Sequence, residues 1–238
     1  RSLPPLPRAE ALALSRHYRL RPGHPKKLSD VEHLIQLRGS LEELCLCDSD
    51  LDYRNPSIGL PRFPESFLRL TELQKLVLDY HFRIKAIPAG ILNLKKLKYL
   101  SVISCDLRSL PKELGVPSGL EILDLSCNES LGAAPDDVVF PQELKGLKSL
   151  RELLLINCGL RRVLAFVCEL SSLEEIRLDY NPGLQVNAQL DDLLECCPHL
   201  RVVEMKKDLV FWTPTSLAHL KNFKAKLQKK NPNAKVEF

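Results

Sequence analysis

The chain has 238 residues, 45% apolar and 27% charged, which suits one large folded domain or two small ones. No apolar run approaches the roughly 18 to 20 residues that span a bilayer as a helix, so no transmembrane segment is expected. The net charge is only +4, but residues 1–40 carry +5, residues 201–238 carry +6 and the middle carries −7. An acidic body repels a phosphate backbone, which argues against a nucleic-acid partner.

The chain opens on Arg1, with Pro4, Pro5 and Pro7 close behind and no apolar stretch of the kind a signal peptide needs. A helix is expected within residues 9–20. Ser29, Asp30, Val31 and Glu32 match a capping box, and Val31, Leu34 and Ile35 follow at helical spacing. Gly39 stands where such a helix stops. Residues 29–38 therefore read as an N-terminal capping helix, inside an N-terminal segment that ends at residue 40.

From Leu41 onward one pattern recurs. There are 49 leucines against 8 Phe, 5 Tyr, one Trp and one Met, which points to one packing unit used many times. Leu41, Leu44, Leu46 and Leu51 follow the template L-x-x-L-x-L-x-x-N/C-x-L, and so do Leu73, Leu76 and Leu78. Next come Leu97, Leu100, Val102, Cys105 and Leu107, then Leu120, Leu123, Leu125 and Asn128. Leu150, Leu153, Leu155, Cys158 and Leu160 make a fifth unit, and Leu173, Ile176, Leu178 and Asn181 a sixth. A weaker seventh holds Leu200, Val203 and Met205, with Asp208 at the Asn position. Successive starts are 23 to 32 residues apart, and the two longest intervals carry insertions at Asp52–Leu60 and Gly132–Pro141.

The spacing has a physical reason. Alternation through L-x-L suits a short strand with one buried face. The Asn or Cys then turns inward, where a small polar side chain meets backbone groups exposed by the turn. A second half follows each strand: Phe63-Pro64-x-x-Phe67-x-x-Leu70, Ile87-Pro88-x-x-Ile91-x-x-Leu94 and Leu110-Pro111-x-x-Leu114. Steps of three and four put those residues on one face of a short helical turn that a proline can open.

These residues resemble the leucine-rich repeat superfamily over about residues 37–210. The L-P-x-x-L half is most similar to the intracellular Ras-suppressor-like and plant-type groups. The resemblance implies an α/β solenoid, a horseshoe with a parallel concave sheet and a helical or irregular convex side. It also implies binding on the concave face.

Residues 211–238 read as the C-terminal cap. Thr213-Pro214 looks like an N-cap and first helical position. Leu217, Leu220, Phe223 and Leu227 form an apolar stripe, with Lys221, Lys224 and Lys229 largely off it. Asn231-Pro232-Asn233 ends the helix, and Val236 to Phe238 are expected to add an edge strand.

On the concave face the residues between the leucines carry 11 acids against 7 bases. Tyr80, Tyr99, Ile103, Leu154, Ile156 and Tyr180 stand out because the repeat does not require them. With Asp79, Asp124, Arg177 and Asp179 they form the candidate partner site, since interface anchors favour aromatic residues and Arg within a polar ring. The expected ligand is an extended or helical protein segment of some basic character.

The eight cysteines lack metal-site spacing and the terminal clusters of secreted relatives, so free thiols in a reducing, intracellular and cytoplasmic setting are expected. Asn128-Glu129-Ser130 fits a glycosylation sequon, but Asn128 is a ladder residue and is discounted. The chain has no Gly-rich phosphate loop, no H-E-x-x-H and no G-x-S-x-G, and its six His are scattered. No enzyme activity, cofactor or metal is expected. The reading is a protein-interaction scaffold or adaptor, with the recognition domain of a ubiquitin-ligase or immune-type receptor as the alternative. A secreted ligand binder is a third class, which paired cysteines would mark.

Overall fold

Among the described residues nine short strands, one from each turn of a coil, lie side by side in a single parallel sheet in simple sequence order. The computed structural model describes residues 17–19, 33–46, 59–116, 119–132, 139–187, 189–206 and 213–238. The strands are β1 (His17–Arg19), β2 (Glu43–Cys45), β3 (Lys75–Val77), β4 (Tyr99–Ser101) and β5 (Ile122–Asp124). They continue with β6 (Glu152–Leu154), β7 (Glu175–Arg177), β8 (Val202–Glu204) and β9 (Lys235–Glu237). The middle residue of each pairs with the middle residue of the next: Leu44, Leu76, Leu100, Leu123, Leu153, Ile176, Val203 and Val236 form one buried row. All seven strands expected from the repeat are present, and the family-like solenoid is the observed architecture.

Proline placement accounts for the convex side. Pro64, Pro88, Pro111 and Pro141 each stand in extended backbone one residue before a 3-10 turn. Each proline carbonyl accepts the amide three residues on, as in Phe67 N to Pro64 O at 2.9 Å. The turns are only four or five residues long, too short for α-helix, and bonds of this reach suit such short pieces. Each buries one apolar residue between the layers: Phe67, Ile91, Leu114 and Leu144. Successive turns approach closely. A Cβ on Gly146 would lie 2.0 Å from the Gly115 carbonyl oxygen, so only glycine fits there.

Two elements depart from expectation at the ends. Residues 17–19 form strand β1, parallel to β2, where a helix was expected. Pairing there covers the edge that β2 would otherwise expose. The convex half of the sixth repeat is a true helix, α1 (Gln189–Cys196), which the repeat template does not announce. The N-terminal capping helix is seen only as a 3-10 turn over His33–Leu37, with Leu34 buried. Its capping box, most of both insertions, and Cys47, Leu51 and Asp208 lie outside the described residues.

The C-terminal cap matches its sequence. Helix α2 (Pro214–Lys230) starts at Thr213, whose side chain accepts the Ser216 amide, and Pro214 stands in its first turn. Leu220, Phe223 and Leu227 are buried, and the chain returns as β9, one residue earlier than expected.

The thiol expectation needs correction. Cys168 and Cys196 are joined in a disulfide that ties the Ala165–Glu169 turn to α1. Cys45, Cys105, Cys127, Cys158 and Cys197 are free. The turn and helix α1 stack in adjacent coils and bring the two sulfurs together, a proximity that the spacing of 28 residues does not reveal.

Candidate functional site

Three rows of side chains cross the concave face. The first runs Glu43, Lys75, Tyr99, Ile122, Glu152, Glu175, Val202 and Lys235. The second runs Cys45, Val77, Ser101, Asp124, Leu154, Arg177, Glu204 and Glu237. Two residues further on, Asp79, Ile103, Ser126, Ile156, Asp179 and Lys206 make the third. Parallel neighbours stand about 4.8 Å apart, so each row is continuous.

The backbone leaves each strand by one device. Tyr80, Ser104, Cys127, Asn157 and Tyr180 all have left-handed φ, between 51° and 67°. That conformation is uncommon for residues other than glycine and costs about 1 kcal/mol or more each. It turns each amide to a carbonyl of the next coil, as in Tyr80 N to Ile103 O at 2.7 Å and Tyr180 N to Lys206 O at 2.8 Å. The residue that follows points inward. Asn128 Oδ1 accepts the Cys105 and Leu107 amides at 2.9 and 3.0 Å, and its Nδ2 donates to the Val102 and Leu125 carbonyls. Asn181 repeats this one coil pair later with Cys158, Leu160, Leu155 and Leu178. Cys105 donates to Leu78 O, with Ile103 O as a longer second acceptor, and Cys158 donates to Leu125 O, with Ile156 O as its longer one. Burial pushes the Cys158 thiol up to about 12, so it stays protonated and donating.

His81 holds the same slot in the second repeat. Its Nε2 lies 2.7 Å from Leu46 O and its Nδ1 accepts the Leu60 amide at 3.3 Å. The histidines are therefore not all incidental. His81 stands three residues after Leu78, as Asn128 does after Leu125, and that spacing was the available signal.

The candidate residues divide into two kinds. Asp79, Asp124 and Asp179 are only 7%, 8% and 3% exposed. Asp79 Oδ1 accepts the Ser101 hydroxyl at 2.6 Å and the Ile103 amide at 3.0 Å. Asp124 accepts the Ser126 amide, and Asp179 accepts the Lys206 amide at 2.8 Å. Burial pushes the Asp79 carboxyl up to about 6, against those two hydrogen bonds, and raises Asp124 and Asp179 as well. These carboxylates hold the ends of strands in place and are not the exposed charges that alternation suggested.

Tyr99, Ile103, Leu154 and Ile156 are half-buried, and Ile122 joins them beside Tyr99. Lys75 Nζ sits 4.7 Å from the Tyr99 ring centre. Tyr80 is half-buried and Tyr180 is 57% exposed, both on the rim where the strands end. Toward the C-terminal side the face is ionic and largely self-paired. Arg177 pairs with Glu175, and with Glu204 at 3.5 Å. Glu174 is held between Arg151 and Arg201 at 2.6 Å each, and the Arg151 hydrogen bond lowers its pKa. Lys235 reaches Glu204 at 2.7 Å, while Lys206 pairs with Glu237.

Among the described residues no cluster of His, Cys, Asp or Glu could hold a metal ion, and no helix is long and apolar enough to cross a membrane. Asn128 is fully buried, which removes it as a glycan acceptor in the folded chain.

No family model matches the chain. Solved structures do. The chain is similar to a leucine-rich repeat protein of Leptospira interrogans, LIC12759, at 18% identity, covering 87% of this chain and 62% of that one, with a TM-score of 0.43. It thus spans less than two thirds of that protein's length. It is also similar to the leucine-rich repeat domain of the type III effector XCV3220 (XopL), at 18% identity, covering 96% of this chain and 79% of that one, with a TM-score of 0.60. Likeness at that identity speaks to architecture and not to ligand.

Proposed function

We propose that this chain, a leucine-rich repeat solenoid, is a non-enzymatic binding module that holds a protein partner on the middle of its concave face. One observation carries the reading. Tyr99, Ile103, Ile122, Leu154 and Ile156 form a half-buried apolar patch on β4 to β6, beside a face whose charges are already paired with one another. Covering paired charges gains little, whereas covering apolar area gains roughly 25 cal/mol per Å². Contact energy therefore concentrates on the patch, with Tyr80 and Tyr180 as rim anchors and Arg177 at its edge. Scaffold or adaptor is the role that fits a module with this surface.

Charge reversal at Asp79, Asp124 or Asp179 is a poor test, because those residues support the strands. The better variant is Leu154→Asp with Ile156→Asp, compared with Leu92→Asp on the convex side, where Leu92 is 43% exposed. In affinity purification from the native cell, proteins retained by the wild type and by Leu92→Asp should be lost from the concave double variant. An unchanged set of retained proteins would refute the concave site.

A further inference from the structure

The flank where the chain leaves a convex turn and enters a strand carries a second, differently built surface. Arg38 follows the turn His33–Leu37, Arg69 closes Glu65–Arg69, and Lys95 and Lys96 follow Ala89–Asn93. These four cations line one open cleft of about 840 Å³, together with Thr71, Glu72, Asn93 and a single apolar residue, Leu68. Three successive coils thus contribute cations, each from a slightly different place at the end of its turn, to one basic groove.

What marks this groove is that three unpaired cations share one cleft. Lys96 is neutralised by Glu72 at 2.6 Å. Among the described residues, Arg38, Arg69 and Lys95 have no carboxylate partner. Elsewhere on the same flank, the cation at the equivalent place is paired: Lys148 lies 3.7 Å from Glu169. Lys98, one strand entry further in, lies 3.2 Å from Glu121. Positive charge left uncompensated on one groove, in a body that is net negative, concentrates field where an anion would lie.

We infer that this groove binds a small polyanion carrying two or more phosphate groups. Two guanidinium forks and an ammonium suit phosphate oxygens, with the guanidiniums able to bind two oxygens each. The Thr71 hydroxyl and Asn93 amide add neutral donors, and one leucine leaves little for an apolar ligand. A compact ligand fits better than a polymer for two reasons. The volume is within the range of small-molecule sites. In sequence, the places that match Lys95 and Lys96 further on also hold no free cation: Ser118 and Gly119, then the paired Lys148 with Ser149, then Ser171 and Ser172, then Pro198 and His199. This site is independent of the concave patch, so either can fail without the other.

The test is calorimetric titration of the full chain with inorganic tripolyphosphate at low salt. Saturable binding that weakens as salt rises is expected. Arg69→Glu with Lys95→Glu should weaken it at least about tenfold, the loss of one charge-assisted hydrogen bond's worth of affinity, while Lys148→Glu changes it less than about twofold. Thermal melts of each variant separate lost binding from lost folding, and an intact double variant that no longer binds supports the site. The inference is overturned by absence of binding, or by equal loss in Lys148→Glu. It is also overturned if a poly-glutamate peptide or a short single-stranded oligonucleotide binds more tightly than tripolyphosphate.

Discussion

Asp79 holds the Ser101 hydroxyl and the Ile103 amide while burial pushes its carboxyl from 3.8 to about 6. Its folded pKa is raised, so folding favours the protonated form. The stability it contributes is full below about pH 4 and is lost as pH rises through about 6. Two pH units correspond to about 3 kcal/mol, with Asp124 and Asp179 shifting in the same direction. Asp79→Asn keeps an acceptor for both donors and removes the titration. It should flatten the decline in unfolding free energy between pH 4 and pH 6, measured by urea titration, and leave the variant more stable than the wild type at pH 8. Parallel profiles for the two chains would count against the burial account. Alternation showed correctly that Asp79, Asp124 and Asp179 point to the concave side, but not how deep they sit. Depth depends on neighbours a coil away: Asp79 lies beside Ile103 and Asp124 beside Leu154, and a short carboxylate sinks among longer side chains. The apolar candidates Tyr99, Leu154 and Ile156 are themselves the longer side chains, and they stay half-buried.

Strands were the most legible elements because L-x-x-L-x-L is a local pattern, and each observed strand of the seven repeats falls on it. Elements that depend on a neighbouring coil were less legible. β1 exists because β2 offers an edge, and three residues, His17 to Arg19, carry too little pattern to show that. Helix α1 does have a signal, since Leu190, Leu193 and Cys197 recur at spacings of three and four and are buried. The convex halves of the other repeats use the same spacing for 3-10 turns, so spacing alone does not separate the two. The Cys168–Cys196 bridge belongs to this scale, because it joins one coil's turn to the next coil's helix. Closing a loop of this length, a separation of 28 residues, restricts the unfolded chain by about 3 to 4 kcal/mol in the entropy model. Reduction should therefore lower the melting temperature by about 10 °C for a chain of this size. Cys168→Ala with Cys196→Ala should melt near the reduced wild type and ignore reductant. Thiol titration of the denatured, unreduced chain should find no more than six free thiols of the eight cysteines. A count of eight, with a melt indifferent to reductant, would restore the fully reduced picture.

At the scale of the whole molecule, every strand pairs only with its sequence neighbours, and the core is a single row of stacked coils. Stability in such an array is nearly a sum of local terms and nearest-neighbour contacts, so damage at one end should stay near that end. Phe223 is the test residue. It is fully buried in α2, the cap that covers the last coil and returns the chain into β9. Phe223→Ala should cost about 3 to 5 kcal/mol locally. Amide exchange in β9 and in the adjoining Met205, whose amide is bonded to Glu237 O at 2.9 Å, should then accelerate by roughly two to three orders of magnitude. The central strands β4 to β6 should keep their protection, because they pair with one another and with β3 and β7, not with β9. The ladder bonds of Asn128 and Asn181 sharpen the expectation, since each ties one coil to the preceding one and neither reaches α2. The same variant should therefore leave the apolar patch on β4 to β6 folded and competent to bind. If all strands lost protection together, the solenoid would be one cooperative block, and a cap variant would abolish binding at the concave centre as well.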